Sequence, residues 1–177
     1  GISMAFISIS ITKNHPLILG KGGFGRQLAD WLSAEGWGEA EFLDDSVPGC
    51  VGGLRDYADP KLLKPGRPAF VALGDNALRV ELLQKLAAAG YDTPVFISDM
   101  AAVSPSAVLE PGCVILPQAY VGADAHLGVG CIINGGAIVD HDAVLGRGVH
   151  VAPGGIVKAG AEVEALTKVD SGEIIKK

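Results

Sequence analysis

Residues 102–167, AVSPSAVLEPGCVILPQAYVGADAHLGVGCIINGGAIVDHDAVLGRGVHVAPGGIVKAGAEVEALT, place an aliphatic side chain at every sixth position. From Val103 the column runs through Leu109, Ile115, Val121, Leu127, Ile133, Val139, Leu145, Val151, Val157 and Val163 without a gap. Four residues after each stands a small or modest one: Ala107, Cys113, Ala119, Ala125, Cys131, Ala137, Ala143, Val149, Gly155, Ala161 and Thr167. A period of six is neither the 3.6 of a helix nor the 2 of a plain strand. It belongs to short strands joined by regular corners and wound into a parallel β-helix. Three hexads close one triangular coil, so residue n lies beneath residue n+18, about 4.8 Å along the axis. The aliphatics then fill the interior and the small residues let the corners close. Gly112, Gly122, Gly128, Gly130, Gly136, Gly146, Gly148, Gly154 and Gly160 fall in the turns, where a missing Cβ permits positive φ.

Outward from this repeat the composition changes near residue 98, and a chain of 177 residues has room for two small cores. Residues 1–15 read as an extension: Gly1-Ile2-Ser3 before Met4 resembles a cloning remnant, and residues 6–11 alternate as an edge strand or a disordered arm would. Residues 16–98 read as an α/β domain, 99–167 as the β-helix and 168–177 as a charged cap over its last coil. In the α/β part a buried strand enters the glycine-rich string Gly20-Lys21-Gly22-Gly23-Phe24-Gly25. A helix over 26–34 ends at Gly36, and a second strand over 39–43 delivers Asp44 and Asp45. A third strand over 69–73 leads into Gly74-Asp75-Asn76, a helix over 77–89 follows, and a fourth strand is expected over 94–97. Such alternation predicts a small Rossmann-like parallel sheet with its ligand at the strands' carboxyl ends.

A glycine turn before a helix presents backbone N–H groups to an anion, and phosphate is its natural guest. Glycines are needed in tight turns for steric reasons as well, so this string alone is a weak signal. Asp44 and Asp45 suit a ribose or base, or else a solvated turn. Asp75, Asn76 and Arg79 are expected at the same crevice, although Asn76 also reads as a helix cap.

Of the four histidines, three lie in the repeat. His141 falls in a turn with Ala123 one coil below and Ala159 one coil above, which leaves open space beside the ring, and Asp142 adds a carboxylate next to it. His150, in the outward column, suits a ligand contact or a surface position. His126 is assigned no role. Asn134 is expected near the groove, where an amide can hold a substrate or bond within its own turn. The spacings of His126, His141 and His150 put the rings in three different columns, which argues against a zinc site and for no metal.

The net charge of −6 offers no footprint for nucleic acid or an anionic membrane. No apolar run spans a bilayer. Three cysteines are an odd number, and Cys113 and Cys131 stack eighteen apart as small interior residues, so a reducing cytoplasm is the simplest setting. Val114, Ile132, Ile138, Val144 and Ile156 occupy the outward column, and such an apolar face predicts burial against further copies, with a trimer as the closure.

Taken in order, Leu17-Ile18-Leu19-Gly20, Gly22-Gly23-Phe24-Gly25, Phe42-Leu43-Asp44-Asp45, Ala72-Leu73-Gly74-Asp75-Asn76 with Arg79, and a repeat holding Asn134, His141-Asp142 and His150-Val151-Ala152-Pro153-Gly154 resemble the bacterial sugar acetyltransferases of the sialic acid O-acetyltransferase type. The likeness covers residues 16–160. It implies a nucleotide-sugar-binding α/β domain and a left-handed β-helix that trimerises with acetyl-CoA, a co-substrate, between subunits. It implies that Gly20, Gly22 and Gly23 approach a diphosphate, that Asp44 and Asp45 meet the base or ribose, and that Asp75, Asn76 and Asn134 contact substrate. His141 would be the general base with Asp142 its partner, and His150, Ala159 and Gly160 would lie by the thioester. The implied activity is acetyl transfer to an amino or hydroxyl group of a nucleotide-linked sugar, by direct attack.

Two departures stand out. Phe24 occupies a position where many relatives carry histidine, and the repeat is expected to stop after Val163, several coils early. The second departure keeps an alternative open: a non-catalytic nucleotide-sugar-binding trimer with a degenerate acetyl-CoA site.

Overall fold

The computed structural model describes residues 15–177, so the expectations for residues 1–14 lie outside it. The described residues divide into two compact units, 15–74 with 81–94, and 75–80 with 95–177.

In the first unit, β1 (Leu17–Leu19), β2 (Glu41–Leu43) and β3 (Ala69–Val71) form a parallel sheet in the order β2-β1-β3. Every residue of β1 and β3 is buried, as a sheet covered on both faces requires. Helix α1 (Gly23–Ala34) buries Gly25, Leu28 and Leu32, an i, i+3, i+7 stripe on one face. It stops at Gly36, whose φ of 87° lets Trp37 N–H reach back to Leu32 O at 2.9 Å. Trp37 then meets Phe70 edge-on, with ring centroids 5.4 Å apart.

The expected fourth strand is not part of this sheet. Phe96–Ile97 pairs in parallel with Val114–Ile115 and so opens the solenoid instead. The reason lies in the pattern itself, because Ile97 is the hexad column extended one step before Val103.

The second unit is a parallel β-solenoid, a left-handed β-helix by its kinship of fold, with three flat faces of two-residue strands. Face one stacks Phe96–Ile97, Val114–Ile115, Ile132–Ile133, His150–Val151 and Lys168–Val169. Face two stacks Ala102–Val103, Tyr120–Val121, Ile138–Val139, Ile156–Val157 and Ile174–Ile175. Face three stacks Val108–Leu109, His126–Leu127, Val144–Leu145 and Glu162–Val163. Each strand pairs eighteen residues on, and the second residue of each pair turns inward, so that Ile115, Val121, Leu127, Ile133, Val139 and Val151 have no solvent contact. Each such side chain contributes roughly 1.5–3 kcal/mol by burial. Cys113 and Cys131 are buried among them as free thiols.

Residues 168–177 do not form a separate cap. Lys168–Val169 and Ile174–Ile175 are two further rungs, and Val169 is fully buried. The column therefore runs on through positions 169 and 175, masked in the sequence by the charged residues around them.

The corners also refine the reading of the glycines. A left-handed residue recurs at 112, 118, 124, 130, 136, 142, 148, 154, 160, 166 and 172, with φ between 58° and 76°. Gly122, Gly128 and Gly146 are not in this column. They are needed because a Cβ would meet the next coil's amide nitrogen, at 2.6 Å from His141, 2.5 Å from Arg147 and 2.6 Å from Ala165 respectively.

Val114 and Ile132, expected on an exposed face, are buried, whereas Ile138 and Val144 are exposed and Ile156 is half-buried. The opening turn of α2 (Asn76–Ala89) lies along the corner bordering face one. Arg79, fully buried, donates from Nε to Gly130 O at 2.8 Å and from Nη2 to Gly148 O at 3.0 Å, while Asn76 Nδ2 reaches Leu166 O at 3.0 Å. The three carbonyls belong to stacked left-handed corners. Burial pulls the Arg79 pKa down to about 10, which leaves it charged near neutrality.

Candidate active site

His141 and Asp142 stand on the corner between Ile138–Val139 and Val144–Leu145. His141 Nδ1 lies 2.7 Å from Asp142 Oδ2, and the imidazole is well exposed, at 59 %. Asp142 has φ 60°, in a column that is mostly glycine, so a carboxylate is held there in a conformation that costs a non-glycine residue energy. Asp142 N–H donates to Ala123 O at 2.9 Å, and the absent side chain of Gly122 lets the His141 backbone settle on the coil below. With Nδ1–H committed to the carboxylate, Nε2 carries the lone pair and is the atom available to take a proton. The bond from Asp142 favours the imidazolium and raises the His141 pKa.

One coil above, Gly160 N–H is already used, donating to His141 O at 3.0 Å. The neighbouring Ala159 N–H has no partner among the described residues. Of these two positions one coil above His141, only Ala159 offers an unspent N–H donor.

Asn134 and His150 meet each other instead. Asn134 Nδ2 lies 3.4 Å from His150 Nε2, and Asn134 Oδ1 accepts from Gly135 N–H at 2.8 Å. Burial, then the charges of Arg79 and Lys168, drives the His150 pKa down to about 4, so the ring is neutral and accepts from Asn134. This pair sits beside the corner that joins face one to face two, whereas His141 sits on the corner that joins face two to face three. Within one chain the two pairs do not converge.

In the first unit Gly20 has φ 102°, and a Cβ there would lie 2.6 Å from Ala72 O, so the glycine is obligatory. Gly22 caps α1 with no side-chain hydrogen bond, and neither Gly22 nor Gly23 is required by a steric neighbour: a Cβ on Gly22 would meet nothing within 4 Å, and one on Gly23 only Arg26 Nη2 at 4.0 Å. Phe24, in the first turn of α1, is half-buried. Asp44 accepts from the N–H groups of Lys21 at 2.8 Å, Ser46 at 2.9 Å and Val47 at 3.2 Å, and these bonds, that of Lys21 foremost, hold its pKa below the usual carboxylate value. Asp45 Oδ1 accepts from Leu54 N–H at 2.8 Å. Both carboxylates thus build the loop that follows β2.

Asp75 caps α2 by accepting Leu78 N–H at 2.9 Å, and Asn76 spends both ends of its amide on Arg79 and Leu166. The helix cap is therefore Asp75, one residue before Asn76, the position the sequence suggests. Among the described residues no group of three or more His, Cys, Asp or Glu could hold a metal ion, and no helix is long and apolar enough to cross a membrane.

Residues 17–86 match the PglD N-terminal domain family. The acetyltransferase domain of PglB from Neisseria gonorrhoeae FA1090 is 33 % identical, the match covering 90 % of this chain and 86 % of that one with a TM-score of 0.76. The same domain in complex with acetyl coenzyme A matches with a TM-score of 0.74 at the same identity and coverage. PerB from Caulobacter crescentus, solved with CoA and GDP-perosamine, is 28 % identical over 92 % of this chain and 97 % of that one, with a TM-score of 0.66.

Proposed function

The chain belongs to the bacterial sugar acetyltransferases built on hexapeptide repeats, and we propose that it moves an acetyl group from acetyl-CoA to an amino or hydroxyl group of a nucleotide-linked sugar, with His141 as general base. The observation that carries this reading is the His141–Asp142 pair: a 2.7 Å bond at Nδ1 and an exposed Nε2 on a corner floored by glycine and alanine.

The reaction needs a base beside the attacking nitrogen or oxygen. His141 Nε2 takes the acceptor's proton as the nucleophile adds to the thioester carbonyl, and Asp142 stabilises the imidazolium that forms. The carbonyl oxygen becomes an oxyanion, for which Ala159 N–H is the donor we assign. Collapse breaks the carbon–sulfur bond, the CoA thiolate leaves, and the imidazolium returns its proton to that sulfur. No acetyl-enzyme is needed, and the burial of Cys113 and Cys131 supports direct attack.

Gly22 and Gly23 are the backbone we assign to the sugar nucleotide's diphosphate, and the base or ribose falls to the loop that Asp44 and Asp45 shape. Because Asn134 with His150 and His141 with Asp142 sit on different edges, a homotrimer is the assembly we assign, each site taking His141 from one copy and Asn134 with His150 from the next, acetyl-CoA lying between them. Three free cysteines fit a cytoplasmic setting. The rungs at 168–169 and 174–175 lengthen the solenoid by two of a coil's three hexads, which narrows the shortfall on which the non-catalytic alternative rests.

Thermal melting separates the two readings, because a ligand that binds only the native state raises the midpoint. Acetyl-CoA and, separately, UDP or GDP are each expected to do so. Stabilisation by the nucleotides alone would favour the non-catalytic binder.

A further inference from the structure

We infer that the Lys21 ammonium is a substrate-binding group that holds the diphosphate of the nucleotide-linked sugar, exchanging two main-chain carbonyls for phosphate oxygens. The inference rests on the reading that this ligand docks at the glycine turn, and it names the cation that turn would use.

Lys21 lies between Gly20, which the fold requires, and Gly22 and Gly23, which no steric neighbour requires. Its own N–H is fixed by Asp44 at 2.8 Å, so the backbone from which the side chain leaves is anchored. The ammonium donates to Pro48 O at 3.1 Å and Gly49 O at 3.3 Å and lies 5.3 Å from the centre of the Phe42 ring. All three partners are neutral, and no carboxylate forms an ion pair with it among the described residues.

The ammonium is charged in both arrangements, and a phosphate oxygen adds the attraction of opposite charges that a neutral carbonyl lacks. Pro48 and Gly49 are exposed, so water replaces the lysine on their carbonyls when it leaves. The loop after β2, tied to the turn by the Asp44–Lys21 bond, carries Asp44 and Asp45, which accept bonds but donate none and which repel a dianion. A host for diphosphate here needs a positive charge to offset them, and the compact ammonium on its four-carbon stem is suited to that. Arg26, whose Nη2 lies 4.0 Å from the Cβ position of Gly23, adds to the same positive field.

The test is titration of the full chain with UDP and GDP, at low and high salt, for the parent, Lys21→Gln and Lys21→Arg. The parent is expected to bind at least one of them, with affinity falling as salt rises. Lys21→Gln is expected to weaken that binding about tenfold and to flatten its salt dependence, while Lys21→Arg retains most of both. Acetyl-CoA, which carries a diphosphate of its own, is expected to bind all three proteins equally.

Nucleotide affinity unchanged in Lys21→Gln overturns the inference, as does a loss of affinity with the salt dependence intact, which marks a purely structural lysine. A loss confined to acetyl-CoA overturns it too. If the parent binds neither nucleotide, the docking reading fails first and the inference falls with it.

Discussion

At His141 the chemistry depends on which nitrogen is committed. Asp142 takes Nδ1 and raises the ring's pKa, so the neutral base that catalysis requires accumulates only above the ordinary histidine value. Asp142→Asn removes the charge that favours the imidazolium. The acid limb of kcat/KM is therefore expected to move to lower pH, with a fall in the plateau as the tautomer is less firmly held; an unmoved limb in a pH–rate profile would detach Asp142 from the base. His150 behaves in the opposite sense. Its folded pKa of about 4 lies below the ordinary 6.5, chiefly through burial, so the unfolded chain binds the proton first. Its contribution to stability is complete above the unfolded pKa and is lost as pH falls from about 6.5 toward 4. Urea melts across that window are expected to show a decline that is shallower in His150→Gln.

At the scale of the coil, two glycines two corners apart do different work. Gly136 has φ 72° and open space around it, so Gly136→Ala meets only the left-handed penalty of about 1 kcal/mol. A Cβ on Gly122 would lie 2.6 Å from His141 N, and Gly122→Ala is expected to cost about 2–3 kcal/mol and to displace the histidine's corner. Melting and kcat measured together check this: the first variant is expected to keep its activity and the second to lose most of it. The distinction was not legible in the sequence, where both read simply as turn glycines. The solenoid itself was legible because an interior of fixed width accepts one aliphatic per hexad. Its ends were not, because Ile97, Val169 and Ile175 continue the column among polar or irregular neighbours. His141 with Asp142 could be read because the two are adjacent in sequence. The duties of Asp44 and Asp75 were not fixed there, since their partners are chiefly backbone N–H groups that no side-chain pattern records, and Asn76, whose amide bonds Arg79 and Leu166, read as the cap that Asp75 supplies.

For the molecule as a whole, face two leaves Tyr120, Ile138 and Ile174 exposed in one stripe, with Tyr120 45 % and Ile174 47 % accessible. A stripe of this kind suits burial against another copy. Ile138→Glu is expected to convert the proposed trimer to monomers in sedimentation or light scattering, with activity lost although His141 is untouched. Mixing two inactive proteins, His141→Ala and Asn134→Ala, is expected to restore part of the activity, since mixed trimers contain intact sites built from two copies; no recovery would place each site within one chain. The most direct measurement is the rate at which free CoA thiol is released from acetyl-CoA with and without a nucleotide-linked amino sugar. Release is expected only with the acceptor present, and His141→Ala is expected to lower it roughly 10²–10⁴-fold with the melting temperature unchanged. Acceptor-independent release, or a folded His141→Ala that works at the full rate, would contradict the account.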